Sequence, residues 1–475
     1  MASSLHLSLI SLVVLHYSQR RSRCGTQISE ILVSKNLGRF LAIVPSSMDP
    51  SMRLNEKDFT RERKLTLPML IVFILHLVGA ARTEGVDVEI GRFFRNAKRS
   101  GLWPQARTVH RSAVTKARKK VAWQMFRDIL HKAVALAYEL IPADSGNTWF
   151  GMPVLAIDGS KFNLPATAAI RAEFDPRSGL HGLSHSHYPQ CLVSTLYDVF
   201  RRLPVARTVM PNDTSERDEA MELLAYALPG SIVLFDRGYP SYGLLLYLLE
   251  QCRAHFLMRC PATNTFPAVE AFIRSGEREA IIFIQPTQKF CNRQTALVRE
   301  GLQPLKVRAI RMTDPEGKES VLLTDLLDTK TYGCDQIIAL YFRRWNIEVQ
   351  YRDEKVTMAV EQFHGKSSNS IRQELFAAAI VTVIARTMAR LSENMHDQKA
   401  GTVQAKNALV ALATEAAVLT PHDPAAALRI FEEILHDMAR VKYYRPKKPR
   451  PPQPRVTKGN ANKWQQGKTR KTIAP

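Results

Sequence analysis

The chain has 475 residues, a formal net charge of +22 and a pI near 9.9; that length is too great for one simple core and points to two or three domains. With 45% hydrophobic and 23% charged residues the composition is globular, which excludes a mainly disordered chain. Six cysteines (24, 191, 252, 260, 291 and 334) form no Cys-x-x-Cys pair, which excludes a disulfide scaffold and the common zinc-ribbon and thioredoxin spacings and predicts a reduced, intracellular setting.

Residues 1–47 show weak periodicity and read as an extension or a misassigned start, with Met48 and Met52 each preceding better-ordered sequence. Leu5–Leu15 is apolar but has no basic residue before it, so it lacks the charged region of a signal peptide. Leu67–Ala81 is apolar apart from His76 but falls short of the ~20 residues that span a bilayer, and is expected to be a buried helix; no membrane contact is expected. Residues 48–145 read as a basic helical domain. Within it, Thr108–Leu140 reads as one amphipathic helix, with Val114, Ala117, Val121, Met125, Leu130 and Ala133 near helical spacing and Ser112 as its cap.

The pattern changes at residue 146. Pro153–Asp158 is a short apolar run ending in an acid and bounded by Gly159, the mark of a buried strand. Further strands are expected at Cys191–Asp198, Pro204–Met210, Ser231–Asp236, His255–Arg259, Glu279–Ile284, Val307–Met312 and Val321–Leu323. Helices are expected at Ser215–Leu228 (capped by Ser215), Tyr242–Cys252, Cys334–Val360, Glu374–Leu391, Val403–Leu419 and Pro424–Met438, the last with Asp423 at its cap. Residues 146–400 therefore read as an α/β domain, 401–440 as C-terminal helices and 441–475 as a basic disordered tail.

The positive charge is concentrated. Arg92–Lys132 holds 12 Lys/Arg against one acid, Asp128, and Val441–Pro475 holds 11 with no acid; the two segments account for the whole net charge. Localised positive charge suits a polyanion, because each phosphate contact releases condensed counterions.

Asp158 and Asp236 each end an apolar strand and are followed by Gly159 and by Arg237-Gly238. Reactive groups gather at the carboxyl ends of strands in open α/β sheets, so two such acids can lie side by side. A third comes from helix arithmetic: on a uniform helix Tyr341, Arg344, Glu348 and Lys355 fall at roughly 0°, 300°, 340° and 320°, one stripe bearing a phenol, a guanidinium, a carboxylate and an ammonium. Three carboxylates can hold two Mg²⁺ ions, and neighbouring cations can hold phosphate. The alternatives are turn aspartates and an ordinary Arg344–Glu348 ion pair.

Taken together, Asp158-Gly159-Ser160, Asp236-Arg237-Gly238-Tyr239 and Tyr341-x2-Arg344-x3-Glu348-x6-Lys355 resemble the bacterial DDE transposases of the insertion-sequence-4 type, with similarity over about residues 54–440. The resemblance implies a ribonuclease H-like core, a mixed sheet flanked by helices, preceded by an N-terminal helical domain. Its first catalytic Asp lies on the first strand, its second just after the fourth, and its Glu on a later helix. It also implies a β-rich insertion between the second Asp and the Glu, here about residues 262–330. Catalytic and metal-binding roles are thus expected for Asp158, Asp236 and Glu348. DNA or phosphate contacts are expected for Tyr341, Arg344, Lys355, Arg237 and Tyr239, the last two equally suited to bracing the turn, and for Lys116, Lys119 and Lys120 in the helical domain.

The expected cofactor is Mg²⁺, with Mn²⁺ able to substitute. The expected partners are double-stranded DNA (terminal inverted repeats and target) and a second copy of the chain in a synaptic homodimer. The expected location is the bacterial cytoplasm, at the nucleoid. Some members form a DNA hairpin and hold a flipped base on an aromatic residue; no Trp lies in 262–330, so either a Phe such as Phe283 or Phe290 serves or no hairpin forms. Glu216-Arg217 also recurs in such sequences and equally suits a helix-start ion pair. His181, His185 and His187 show no ligand pattern, and His364 reads as structural or phosphate-facing. An end-binding protein without catalysis and a related two-metal nuclease are the competing readings.

Overall fold

The computed structural model describes residues 24–61, 63–79, 85–175, 188–295, 299, 301–313, 317, 319–395 and 403–440. The basic tail after Arg440 and the three histidines 181, 185 and 187 lie outside the described residues. The chain divides into two compact units that do not follow chain order: residues 1–141, 162–191 and 353–475 form the first, and 142–161 and 192–352 the second.

The first unit is helical. Leu67–Val78 is buried at every position but Pro68 and starts at a Thr66 cap. The helix Ser368–Met395 is long and apolar enough to cross a membrane, yet it is buried as the core of this unit; Ala377 to Ile380 are fully enclosed. Against it lies the helix Gln124–Leu140, and Trp123 stacks on Phe376 at 5.3 Å. Earlier in the chain, the helix Cys24–Ser46 packs Phe40 on Phe431 of the helix Pro424–Arg440, ring centres 5.6 Å apart.

The expected single helix over 108–140 is two. Arg111–Arg118 stops, and Gln124 begins the next. Between them the backbone leaves the helix to bond residues 52–54: Ala122 N–H donates to Met52 O (2.9 Å), and Leu54 N–H to Lys120 O (3.0 Å). His110 rather than Ser112 is the cap, its Nδ1 accepting from the Ser112 amide. The short first helix is held by a buried hub. Arg118 donates to Glu374 Oε1 (2.8 Å), Gln373 Oε1 (3.1 Å) and the Ser370 carbonyl (3.0 Å). Glu374 also accepts from the amides of His364 (2.9 Å) and Gly365 (2.8 Å). These partners, all charge-assisted at the carboxylate, hold its pKa down to about 2 despite complete burial. The His364 ring lies beside the same carboxylate, Nδ1 3.5 Å from Glu374 Oε2.

The eight-stranded sheet has the order β3-β2-β1-β4-β5-β8-β7-β6. The strands are β1 Val154–Asn163, β2 Gln190–Asp198, β3 Leu203–Pro211, β4 Ile232–Phe235, β5 His255–Pro261, β6 Glu279–Ile284, β7 Leu305–Thr313 and β8 Glu319–Thr324. β4 pairs in parallel with β1 and with β5, while β5, β8, β7 and β6 pair antiparallel in turn. Central parallel strands are covered on both faces, so they read as unbroken apolar runs; Val154–Ile157 and Ile232–Phe235 are fully enclosed. The result is a mixed sheet flanked by helices, with the first strand central and the fourth beside it, the ribonuclease H-like arrangement. Residues 262–330 supply β6, β7 and β8, which extend the sheet beyond β5. Ser215 occupies its cap position, but its side chain makes no capping bond.

Candidate active site

In the second unit, Asp158 and Asp236 come together through strand register. β1 and β4 are aligned with Ala156 opposite Leu234, and each acid lies two residues further on. Asp158 does not end its strand as expected: β1 is sealed through Ile157, opens over Asp158–Lys161 and is buried again at Phe162 and Asn163, so the carboxylate sits in the open middle of the strand. Beyond β4 the backbone turns, and Asp236 Oδ1 accepts from the Gly238 amide at 2.6 Å.

Glu348 reaches the site on a helix that is not uniform. The expected helix 334–360 is an α-helix (Cys334–Tyr341), a 3₁₀ turn (Phe342–Trp345), a second α-helix (Asn346–Arg352) and a π turn (Asp353–Thr357). Tight and wide turns change the angle per residue, so a single stripe computed at 3.6 residues per turn does not extend to Lys355. The central part survives. Arg344 is buried; its Nη2 lies 3.1 Å from Glu348 Oε1 and its Nη1 lies 4.0 Å from Asp158 Oδ2. Tyr341 is buried beside this guanidinium, and burial raises its phenol pKa while Arg344 opposes the rise. Lys355 belongs to the first unit, where its ammonium sits 4.6 Å above the Phe162 ring and burial lowers its pKa.

The other expected contacts separate. Arg237 is exposed. Tyr239 is 1% exposed and packs 5.5 Å from Phe235, so it braces the turn rather than presenting a surface to DNA. Lys116 and Lys119 are exposed in the first unit, and Lys120 pairs with Asp58. Lys116 and Lys120 line a cleft of about 1390 Å³ together with Arg53, Lys57, Arg61, Arg63 and Lys64, a basic surface wider than sequence reasoning assigned. Phe290 packs on Tyr242, ring centres 5.1 Å apart, whereas Phe283 is exposed.

Two residues beside the acids were not assigned from the sequence. The Tyr351 hydroxyl lies 2.7 Å from the Asp158 carbonyl and 3.0 Å from the Val193 carbonyl, tying β1 to β2. Its place one helical turn after Glu348 was the available signal. The other is Glu216, whose carboxylate comes up against Gly159 instead of pairing with Arg217. Arg217 Nε donates to the Gly238 carbonyl at 2.9 Å.

Electrostatically, burial pushes the Asp158 carboxyl up to about 7. Arg344 pulls it down, and Asp236, Glu216 and Glu348 push it further up. An all-carboxylate set under mutual repulsion fits a hard divalent cation in donor type and charge. Among the described residues no three acids, histidines or cysteines are close enough to ligate one ion; Arg344 reaches Asp158 and Glu348 with its two terminal nitrogens.

Residues 149–384 match the family described as "Transposase DDE domain". The chain is 25% identical over 288 residues to "Transposase InsG for insertion sequence element IS4" of Escherichia coli, covering 60% of this chain and 62% of that protein. It is 30% identical over 164 residues to "Putative transposase y4zB" of Sinorhizobium fredii, covering 34% and 44%, and 29% identical over 154 residues to "Putative transposase InsZ" of E. coli, covering 31% and 49%. The chain thus spans less than two thirds of the length of each of these relatives. A solved structure, the piggyBac transposase synaptic complex with hairpin DNA, superposes with a TM-score of 0.43 at 11% identity, over 85% of this chain and 79% of that one. Residues 149–384, which include both aspartates, Glu348 and the Tyr341–Arg344 pair, are thus a transposase DDE domain, in a chain similar to the transposase of insertion sequence element IS4.

Proposed function

We propose that this protein cuts DNA at the ends of an insertion sequence and joins those ends to target DNA. The observation that carries the reading is the equal offset of Asp158 and Asp236 on adjacent parallel strands, with Glu348 joined to Asp158 through Arg344. Asp158, Asp236 and Glu348 would hold a divalent cation, Mg²⁺ with Mn²⁺ as a substitute. When bound, the cation activates the attacking oxygen and stabilises the leaving one.

The protein side of the chemistry is positioning. Arg344 is buried with its guanidinium among Tyr341, Asp158 and Glu348; a desolvated guanidinium suits a non-bridging phosphate oxygen. Tyr351 fixes the backbone that carries Asp158. In cleavage, water attacks phosphorus and the 3′ oxygen leaves as a hydroxyl. In joining, that 3′ hydroxyl attacks a target phosphodiester and displaces the target's own 3′ oxygen. Two ends cut together call for a synaptic homodimer. Lys116, Lys119 and Lys120 would hold the terminal repeats through phosphate, and Arg237 and Lys355 would contact DNA as well. The substrate places the protein with the bacterial nucleoid, in the cytoplasm.

The test is a plasmid carrying the gene with its native flanks, incubated with purified protein and Mg²⁺ beside an Asp236→Asn control. Discrete cuts just outside the gene, joined products and an inert control are expected. Specific footprints at the flanks with no cleavage would refute the enzymatic reading.

A further inference from the structure

Residues 53–61 of the first unit are tied down on the chain just after the helix Arg111–Arg118. Arg53 bridges to Val121, and the Leu54 amide donates to the Lys120 carbonyl at 3.0 Å. The Asp58 amide donates to the Asn55 carbonyl (2.9 Å), the Thr60 hydroxyl donates to the Lys57 carbonyl (2.9 Å), and Asp58 pairs with the Lys120 ammonium. This bracing holds Phe59 at a φ of +59°, a left-handed conformation that is an outlier for a bulky side chain. Such strain persists only where the surroundings impose it, and it clusters where ligands are held.

Phe59 lines the cleft of about 1390 Å³, with Leu65 and Leu67 adding further apolar surface. Arg53, Lys57, Arg61, Arg63 and Lys64 line the same cleft, and Lys116 joins them from the helix Arg111–Arg118. Among the described residues one acid, Asp58, lines it, and Lys120 already pairs with that charge. The half-buried Arg53 keeps Nε without a hydrogen-bond partner, a deficit that a phosphate on its guanidinium would offset. An excess of cations suits a polyanion, but phosphate contact alone gives no role to a strained aromatic. An intact duplex hides the faces of its bases, whereas an unpaired strand exposes them. Cations along the backbone with an aromatic under a base are what hold a single strand.

We propose that this cleft holds an unpaired segment of DNA, with one base stacked on Phe59 and the neighbouring phosphates on the surrounding cations. The proposal rests on the DNA-acting reading above and adds the form of DNA that this cleft takes. Its signature is selectivity. Phe59→Leu keeps an apolar side chain but removes the π-face, so it should weaken single-stranded DNA roughly tenfold and leave duplex binding within about twofold. Phe59→Tyr keeps the face and should bind as the wild type does. Lys57→Ala and Arg63→Ala should each flatten the slope of log K against log salt by roughly 0.7 on the single strand.

The experiment uses the full-length protein in EDTA, so that no cleavage intervenes. The probes are a short thymidine strand carrying one 2-aminopurine and the same strand annealed to its complement. Affinity is read from the anisotropy of an end label, and stacking from the quenching of 2-aminopurine emission. Lys98→Ala, which removes an exposed cation that does not line the cleft, is the control and should leave both readouts unchanged. The expected result is quenching on the single strand that Phe59→Leu relieves, with the loss of affinity confined to that probe. Wild-type single-strand affinity and quenching in Phe59→Leu, with weaker binding in Lys57→Ala and Arg63→Ala, would make the cleft a phosphate track and overturn the proposal. Equal losses on strand and duplex in Phe59→Leu would refute it as well. Unchanged binding in every cleft variant would remove DNA from this cleft alone, whereas a wild type that binds neither probe would sink the DNA-acting reading itself.

Discussion

Replacing Glu374 with glutamine tests the hub that anchors the basic helix Arg111–Arg118. The carboxylate is completely buried and accepts from Arg118, His364 and Gly365. Its pKa falls from 4.5 to about 2, a differential stabilisation of the charged form of about 3 kcal/mol. Breaking one side of a buried ion pair by mutation independently costs about 3–5 kcal/mol. Glu374→Gln should therefore destabilise the protein by about 3 kcal/mol at pH 7. The sign with pH follows from the depressed folded pKa. The contribution is complete above the unfolded pKa near 4.5 and is lost as pH falls toward 2, so the gap between wild type and variant should close over that window. Urea unfolding followed by circular dichroism at a series of pH values between 7 and 2.5 measures it. A gap that stays constant with pH, or one below about 1 kcal/mol at pH 7, would refute the view that the charge on Glu374 holds the hub.

The remaining expectations concern chemistry and DNA. Asp158→Asn, Asp236→Asn and Glu348→Gln should each abolish cleavage and joining but leave end binding intact in a gel-shift assay; wild-type cleavage in any one removes that acid from the mechanism. Arg344→Ala and Lys355→Ala should lower the cleavage rate less completely than loss of an acid, measured on the same substrate. Tyr351→Phe should cost about 1 kcal/mol of stability and slow cleavage without changing DNA affinity; an unaltered rate would mean the hydroxyl does not position Asp158. Removing residues 445–475, which hold ten of the lysines and arginines, should weaken DNA binding and flatten the dependence of log K on log salt. An unchanged slope would mean the tail does not touch DNA.

The two aspartates were legible because the strands carrying them are buried on both faces. Such strands appear as apolar runs in any sequence, and an acid ending the run stands out. The half-exposed edge strand β6, with Ile281 and Phe283 open to solvent, was recognisable instead from its β-branched and aromatic residues between polar loops. The helix bearing Glu348 was legible only in its middle. Arg344 and Glu348 are four residues apart and meet in any helical geometry, but the 3₁₀ and π turns around them depend on tertiary contacts that no periodicity encodes. The break at Lys119–Trp123 has the same origin, since it is made by backbone bonds to Met52 and Leu54, residues too distant in sequence to signal it. Glu216 was the hardest to read. Its direction depends on the missing side chain at Gly159, which appears in a sequence only as a turn-forming residue.

The helix Ser368–Met395 bears on how such proteins can be recombined. Its first half falls within the matched family segment, yet its apolar face is covered by Gln124–Leu140, which lies before that segment. A fragment starting at residue 146 would present Phe376 and its neighbours to water and should aggregate. Exchanging the N-terminal helices between relatives by a cut near residue 145 would sever this packing. A workable chimaera would have to carry both helices across together, because neither keeps its apolar face covered without the other.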